Sequence, residues 1–233
     1  MMRLTSVAPG LEQLEFIDEL IIRQKVELVE VLTGFETANA YVVVNSVGQE
    51  IFYATEESDI CTRNGCGTLR PFTMVLKDVG GLDAIHMNRP LRCDSCWCSW
   101  CVQSMEVSSP PGRIIGHVEQ QRGTIRPTFL VQDVNRTTKL HVLGPPFRWC
   151  CCFKDVSFRI LSSHGDKEVG LISKHWSGLL KEAFTDADDF GICFPRDLDV
   201  RMKAVVTAAA FLIDFLFYEH PANLERCRLL GIF

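Results

Sequence analysis

Phe72-Thr73-Met74-Val75-Leu76, a Gly80-Gly81 turn and Asp83-Ala84-Ile85-His86-Met87 form the stretch whose reading decides the fold. Apolar and β-branched residues fill both runs, and the glycine pair between them supplies a reversal, so the segment reads as a β-hairpin. The same unit recurs along the chain. Tyr41–Asn45 and Glu50–Ala54 flank Val47-Gly48, and Val102–Val107 and Ile114–Glu119 flank Pro110-Pro111-Gly112. Thr128–Gln132 and Lys139–Leu143 flank Asn135, and Val156–Leu161 and Glu168–Ser173 flank His164-Gly165. Five hairpins predict ten strands, and the N-terminal stretch is expected to supply two more. Closing on itself removes the exposed edges of so long a meander, so the expected fold is mainly β, a closed twelve-stranded barrel.

A weak internal repeat supports a regular barrel. Arg70-Pro-Phe-Thr-Met-Val-Leu-Lys-Asp-Val79 is similar to Arg126-Pro-Thr-Phe-Leu-Val-Gln-Asp-Val134, and each copy leads to a cysteine-rich corner, at Cys93 and at Cys150. Equivalent barrel positions for the two copies would put both corners on one rim. Apolar residues at 11, 14, 17, 20 and 21 predict a short helix from Leu11 toward Ile22, giving way to strand around Ile21–Leu32. Helices are also expected over Gly178–Phe184 and Val200–Tyr218. No second core or linker is visible. The chain divides into a short extension at 1–10, one domain at 11–220 and a frayed tail at 221–233.

The 233 residues are 47 % hydrophobic with a net charge of −5, enough to bury a core and unlike a nucleic-acid binder. Charge is uneven: residues 1–60 hold 3 basic and 11 acidic side chains, whereas residues 61–159 hold 13 basic and 7 acidic. The middle third therefore suits an anionic surface such as a cytosolic leaflet. Met1–Leu20 lacks a secretory h-region. The 11 cysteines are clustered and odd in number, which fits a reducing compartment better than a disulfide framework.

Ala204–Phe217 contains one charge, Asp214. At about 1.5 Å per residue it reaches roughly 21 Å, short of a hydrocarbon core of roughly 30 Å. A helix apolar on all sides is either buried in protein or dips into lipid. A barrel with this helix threaded through it accounts for the composition without lipid.

Upstream lies an acidic segment with partial hand-type calcium-loop spacing. Asp186, Asp188 and Phe190 (through its carbonyl) stand at relative positions one, three and five. Gly191 falls at six, Ile192 at seven for a second carbonyl, and Asp197 at twelve. The shorter Asp at twelve implies weak affinity, on the order of 10⁻⁴ to 10⁻³ M. An ordinary capped helix-to-strand loop is the alternative, since Thr185 and Asp186 are cap residues.

Cys93, Cys96, Cys98 and Cys101 are spaced too tightly to wrap a zinc tetrahedron easily, although Cys150–Cys152 could add ligands. S-acylation suits them, because Trp97 and Trp100 are interfacial residues and Arg89, Arg92 and Arg148 could meet anionic lipid. Inert thiols remain the third reading. The six histidines fall in no zincin, nucleophile-elbow or phosphate-loop pattern, so nothing points to a hydrolase.

Several further motifs occur in order: Pro-Gly-Leu-Glu at 9–12, Cys-Thr-Arg-Asn at 61–64, Arg-Pro-Leu-Arg-Cys at 89–93 and Pro-Pro-Gly at 110–112. Ser-Lys-His-Trp-Ser-Gly at 173–178, Glu-Ala-Phe-Thr-Asp-Ala-Asp-Asp-Phe-Gly-Ile at 182–192 and Asp-Leu-Asp-Val at 197–200 follow. Together they resemble the phospholipid scramblases over about residues 9–220. The resemblance implies a tubby-like barrel around a C-terminal helix. It implies calcium-triggered, ATP-independent, bidirectional movement of phospholipids without covalent chemistry. It also implies a calcium segment at Asp186–Asp197, palmitoylation within Cys93–Cys101, and a place on the cytosolic face of the plasma membrane, with a homo-oligomer in view. A lipid-tethered, calcium-responsive interaction module is the rival reading. The family's proline-rich N-terminal region is missing, so SH3- or WW-type docking is not expected. Leu171 replaces a basic residue of the family's import segment, which argues against nuclear import.

Overall fold

A computed structural model describes residues 10–25, 39–58, 70–92, 102–122, 124–146, 157–174 and 189–218. Its strands are β1 (Glu19–Lys25), β2 (Ala40–Asn45), β3 (Glu50–Glu57), β4 (Phe72–Asp78), β5 (Asp83–Arg89) and β6 (Ser104–Ser109). They continue as β7 (Arg113–Gln121), β8 (Thr128–Asp133), β9 (Thr138–Leu143), β10 (Ser157–Leu161), β11 (Glu168–Lys174) and β12 (Phe190–Cys193). Each strand pairs antiparallel with the next, and β1 also pairs with β12, so the sheet closes as expected. Odd strands run one way and even strands the other, which gives the barrel two unlike rims. One rim carries the short turns at 46–49, 79–82, 110–112, 134–137 and 162–167. At the other rim the strand ends are joined through 26–39, 58–71, 90–103, 122–127, 144–156 and 175–189. We call these the turn rim and the connection rim.

All five expected hairpins form. Each has a register shift beside its short turn: at Val43/Val44, Leu76/Lys77, Val107/Ser108, Val131/Gln132 and Ile160/Leu161. A bulge bends and over-twists its strand, so one at the foot of every hairpin concentrates curvature at the turn rim. The repeat is also borne out as geometry. Its two copies are β4 and β8, and both descend from the connection rim.

The N-terminal expectation needs correction. Only a 3₁₀ turn, Glu12–Leu14, forms where a longer helix was expected, and β1 begins at Glu19. Leu20 and Ile22 join the main core, while Ile21 packs in a separate cluster with Val42 and Val44. A strand apolar on both faces has no visible period of two, and its run of apolar residues passes for part of a helical stripe. Among the described residues the N-terminal stretch supplies one strand before the first hairpin rather than two. The twelfth strand is β12.

Helix α1 (Val200–Ile213) starts at the turn rim, and a π-helical turn, Asp214–Tyr218, extends it toward the connection rim. Asp199 caps it, accepting from the Arg201 amide at 2.9 Å. Every residue from Met202 to Phe215 is buried. Phe211 packs edge-on against Tyr41 and Phe190, at 5.1 and 5.9 Å between ring centroids. The helix is thus apolar all round because barrel wall surrounds it. Gly116 on β7 makes room for it: a Cβ there would meet Val205 Cγ2 at 2.6 Å. The expected helix at Gly178–Phe184 and the tail at 221–233 lie outside the described residues.

Candidate functional site: the connection rim

Where α1 approaches the connection rim, charged side chains are buried among aromatic rings. Arg70 pairs with Glu56 through two bonds, Nε to Oε1 at 2.7 Å and Nη2 to Oε2 at 3.0 Å. Burial pushes the Glu56 carboxyl upward, but the Arg70 bonds and charge, together with Ser58 and Asn39, outweigh it and hold its pKa below the ordinary value. The Arg70 guanidinium also lies 4.9 Å from the Phe215 centroid, and Phe215 stacks on Phe72 at 4.2 Å. Arg89 stands 5.6 Å from the Phe72 centroid on the same strand pair. Two guanidiniums and two rings therefore fasten the end of the helix to β4 and β5, each contact favoured by the ring quadrupole. Tyr41 adds a hydroxyl donated to Asp214 at 3.0 Å.

Gln103 organises the next part of the rim. Its Oε1 accepts from Arg89 Nε at 3.2 Å and Nη2 at 2.8 Å, and its Nε2 donates to the Arg92 carbonyl at 3.1 Å. Its own carbonyl accepts from the Gln120 amide at 2.8 Å. The chain leaving β5 is thereby fixed beside the end of β7.

The turn rim is closed by one lysine. Lys203, a turn into α1 and fully buried, donates to the carbonyls of Leu14, Glu15, Ile17 and Arg196 at 3.0, 3.1, 2.6 and 2.8 Å. Burial pushes its pKa below that of an ordinary lysine, with Asp18 the main opposing charge. This ammonium ties the N-terminal turn, the link after β12 and the helix into one plug.

The residues singled out in the sequence fall as follows. Cys93, Cys96, Cys98 and Cys101 lie outside the described residues, as do Cys150–Cys152 and Arg148. Arg92 and Val102, which bracket the first cluster, stand at the connection rim, and Gly144 and Ser157, on either side of the second, belong to the same rim. Arg89, expected to meet lipid, is instead fully buried: its guanidinium serves Gln103 and Phe72.

Asp186 and Asp188 also lie outside the described residues. Phe190 and Ile192 are buried in β12, paired with β1 on one side and β11 on the other. Their carbonyls therefore belong to the sheet ladder. Asp197 is exposed at the turn rim, while Asp189 at the opposite end of β12 is buried and its Oδ2 lies 3.3 Å from Arg23 Nε. Phe190 and Ile192 thus lie within a strand and Asp197 lies beyond its turn-rim end, so these three do not gather round one point. Among the described residues no group of three His, Cys, Asp or Glu side chains could hold a metal.

The buried Glu56–Arg70 pair, the Arg23–Asp189 pair and the Lys203 cage escaped sequence reasoning. Only Lys203 left a usable signal, a lone ammonium at the head of an apolar run.

These elements define a class: a closed up-and-down barrel plugged by its own C-terminal helix. The family model described as Scramblase matches residues 1–220, and the chain belongs to that family. It is 51 % identical over 218 residues to human phospholipid scramblase 1, covering 94 % of this chain and 68 % of that protein. It is 51 % identical over 211 residues to bovine phospholipid scramblase 2, covering 91 % and 72 %. With human phospholipid scramblase family member 5 it shares 45 % over 215 residues, covering 92 % and 79 %. No solved structure matches the chain.

Proposed function

We propose that this protein moves phospholipids between the two leaflets of a membrane, in both directions and without ATP, in response to calcium. The observation that carries the reading is the 51 % identity, across 94 % of the chain, to a protein named a phospholipid scramblase. Movement of lipid makes and breaks no covalent bond, so the activity is that of a translocator. Acyl chains on Cys93, Cys96, Cys98 and Cys101 would hold the connection rim on the cytosolic leaflet of the plasma membrane, two or more chains being needed for a firm anchor. Calcium would act through Asp186 and Asp188. Asp197 stands at the far rim and the carbonyls of Phe190 and Ile192 are committed to the sheet, so these three are not assigned to the same ion.

Reconstitution tests the proposal. Acylated full-length chain is placed in liposomes with a fluorescent phospholipid in both leaflets, and an impermeant reductant reports how much is reachable. Millimolar calcium should make nearly the whole pool reachable without ATP. Asp186→Ala with Asp188→Ala should slow mixing severalfold, and Asp197→Ala should leave it unchanged. Mixing at the rate of empty liposomes would reject translocation.

The second reading, a palmitoyl-tethered and calcium-responsive interaction module, is favoured by the burial of α1. No helix of the described residues is long and apolar enough to cross a membrane. Calcium-dependent recruitment without lipid mixing would support it.

A further inference from the structure

We propose that Leu91, Arg92, Arg122, Ile125 and Arg126 form a contact surface for anionic phospholipid headgroups, so that the connection rim meets a bilayer through the barrel itself as well as through any acyl chains. The inference deepens the membrane reading above and depends on it only for the presence of a bilayer.

It starts from the distribution of exposed apolar side chains. Ile125 is 85 % exposed and Leu91 is 56 % exposed, and both stand at the connection rim. Each has an arginine as its neighbour: Leu91 precedes Arg92, and Ile125 sits between Arg122 and Arg126, both exposed. Segments 90–92 and 122–127 contain no acid. The turn rim is the reverse. Phe16 follows Glu15, Val79 follows Asp78, Leu82 precedes Asp83 and Val134 follows Asp133. Ile114, beside Arg113, and Val47, between Ser46 and Gly48, are the exceptions there. An aliphatic tip between guanidiniums suits the boundary of an anionic leaflet, where the side chain enters the acyl region and the cations stay among phosphates. An aliphatic tip beside a carboxylate is repelled from that surface. Charge therefore orients the barrel, with the connection rim toward lipid and the turn rim away.

The two segments are held in place together. Gln103 fixes the Arg92 carbonyl and bonds to Gln120 near the end of β7, two residues before Arg122. That second segment is braced from within. Thr124 Oγ1 donates to the Arg126 carbonyl at 2.6 Å, and Thr128 Oγ1 donates to the same oxygen at 3.1 Å. A segment braced this way loses little freedom on docking, which favours contact.

The test is flotation of the full chain, made without acylation, on vesicles of phosphatidylcholine alone or with phosphatidylserine, in the absence of calcium. The chain should float with the anionic vesicles and lose binding as salt rises. Arg122→Gln with Arg126→Gln should lower the anionic partition about thirty-fold, and Ile125→Ser should lower it severalfold. Val47→Ser with Leu82→Ser, at the turn rim, should leave it unchanged. Circular dichroism of each variant should match the parent, and all five positions are exposed.

Unchanged flotation of the arginine and isoleucine variants would overturn the proposal. So would loss confined to the turn-rim variant, or no flotation of the parent chain on anionic vesicles. Lipid mixing by the acylated chain is read separately. It survives these failures if the translocation reading is right, and flotation survives loss of mixing if only this surface is right.

Discussion

Lys203 concentrates more structural consequence than any other single residue of the turn rim. Its ammonium serves four carbonyls at once. Lys203→Met keeps the volume and leaves those carbonyls without their donor inside the plug. Leaving a buried acceptor unsatisfied costs about 1–3 kcal/mol, and denaturant unfolding should show a loss of at least that order. Lys203→Arg should not rescue it, because a planar fork does not fit a cage shaped round a point charge. Glu56 gives a pH-dependent counterpart. Its folded pKa lies below the unfolded value of about 4.3. Its contribution is therefore complete above that value and is lost as pH falls through the folded one. The stability difference between the parent and Glu56→Gln should be constant near neutrality and should shrink below about pH 4; a difference independent of pH down to 2 would contradict the assignment. Of these, only the lone ammonium of Lys203 at the head of an apolar run left a mark in the sequence. Glu56 on β3 and Arg70 before β4 are separated by the connection between two neighbouring strands, and such a pairing leaves no local pattern.

The strands themselves were legible, because each hairpin announces itself twice, by apolar runs and by a turn of Gly, Pro or Asn. The two strands that were misread explain the limits. β1 is apolar on both faces, so alternation disappears. β12 is only four residues long, Phe190–Cys193, and sits inside an acidic segment whose carboxylate spacing invited a loop. Helix α1 was visible as an apolar run, but its partner positions on the wall were not. Gly116 is the clearest of these. In an open strand Gly→Ala should be favourable by about 0.5–1 kcal/mol. Here the new methyl would press on Val205 and on the Gln132 carbonyl, so Gly116→Ala should instead cost about 1–3 kcal/mol. Val205→Ala in the same chain should recover part of that loss, leaving the Gln132 contact unrelieved. Purely additive effects in a double-mutant cycle would show that the helix does not press on β7 here.

For the whole molecule the central question is whether α1 leaves the barrel when the protein works at a membrane. The energetics argue that it stays. Burying a Val, Leu, Ile, Phe or Met side chain contributes about 1.5–3 kcal/mol, and α1 with its extension buries Met202, Val205, Val206, Phe211, Leu212, Ile213 and Phe215 against a wall that would also be exposed. That sum, about 10–20 kcal/mol before the wall is counted, is as large as the whole stability of a typical domain, about 5–15 kcal/mol, so emptying the barrel amounts to unfolding it. A bilayer could shelter the apolar side chains, but it would have to take Lys203 and Asp214 as well, at roughly 2.5–3.5 kcal/mol each near its centre. It would also forfeit the carbonyl cage at one end and the Tyr41 bond at the other. Hydrogen exchange should therefore show the amides of Met202–Ile213 as protected as those of the strands, opening together in one global event. The same protection should persist when the chain is bound to anionic vesicles with calcium. Selective deprotection of these amides on the membrane, with the strands still closed, would mean that the barrel releases its helix and that lipid moves along a path this closed state does not contain.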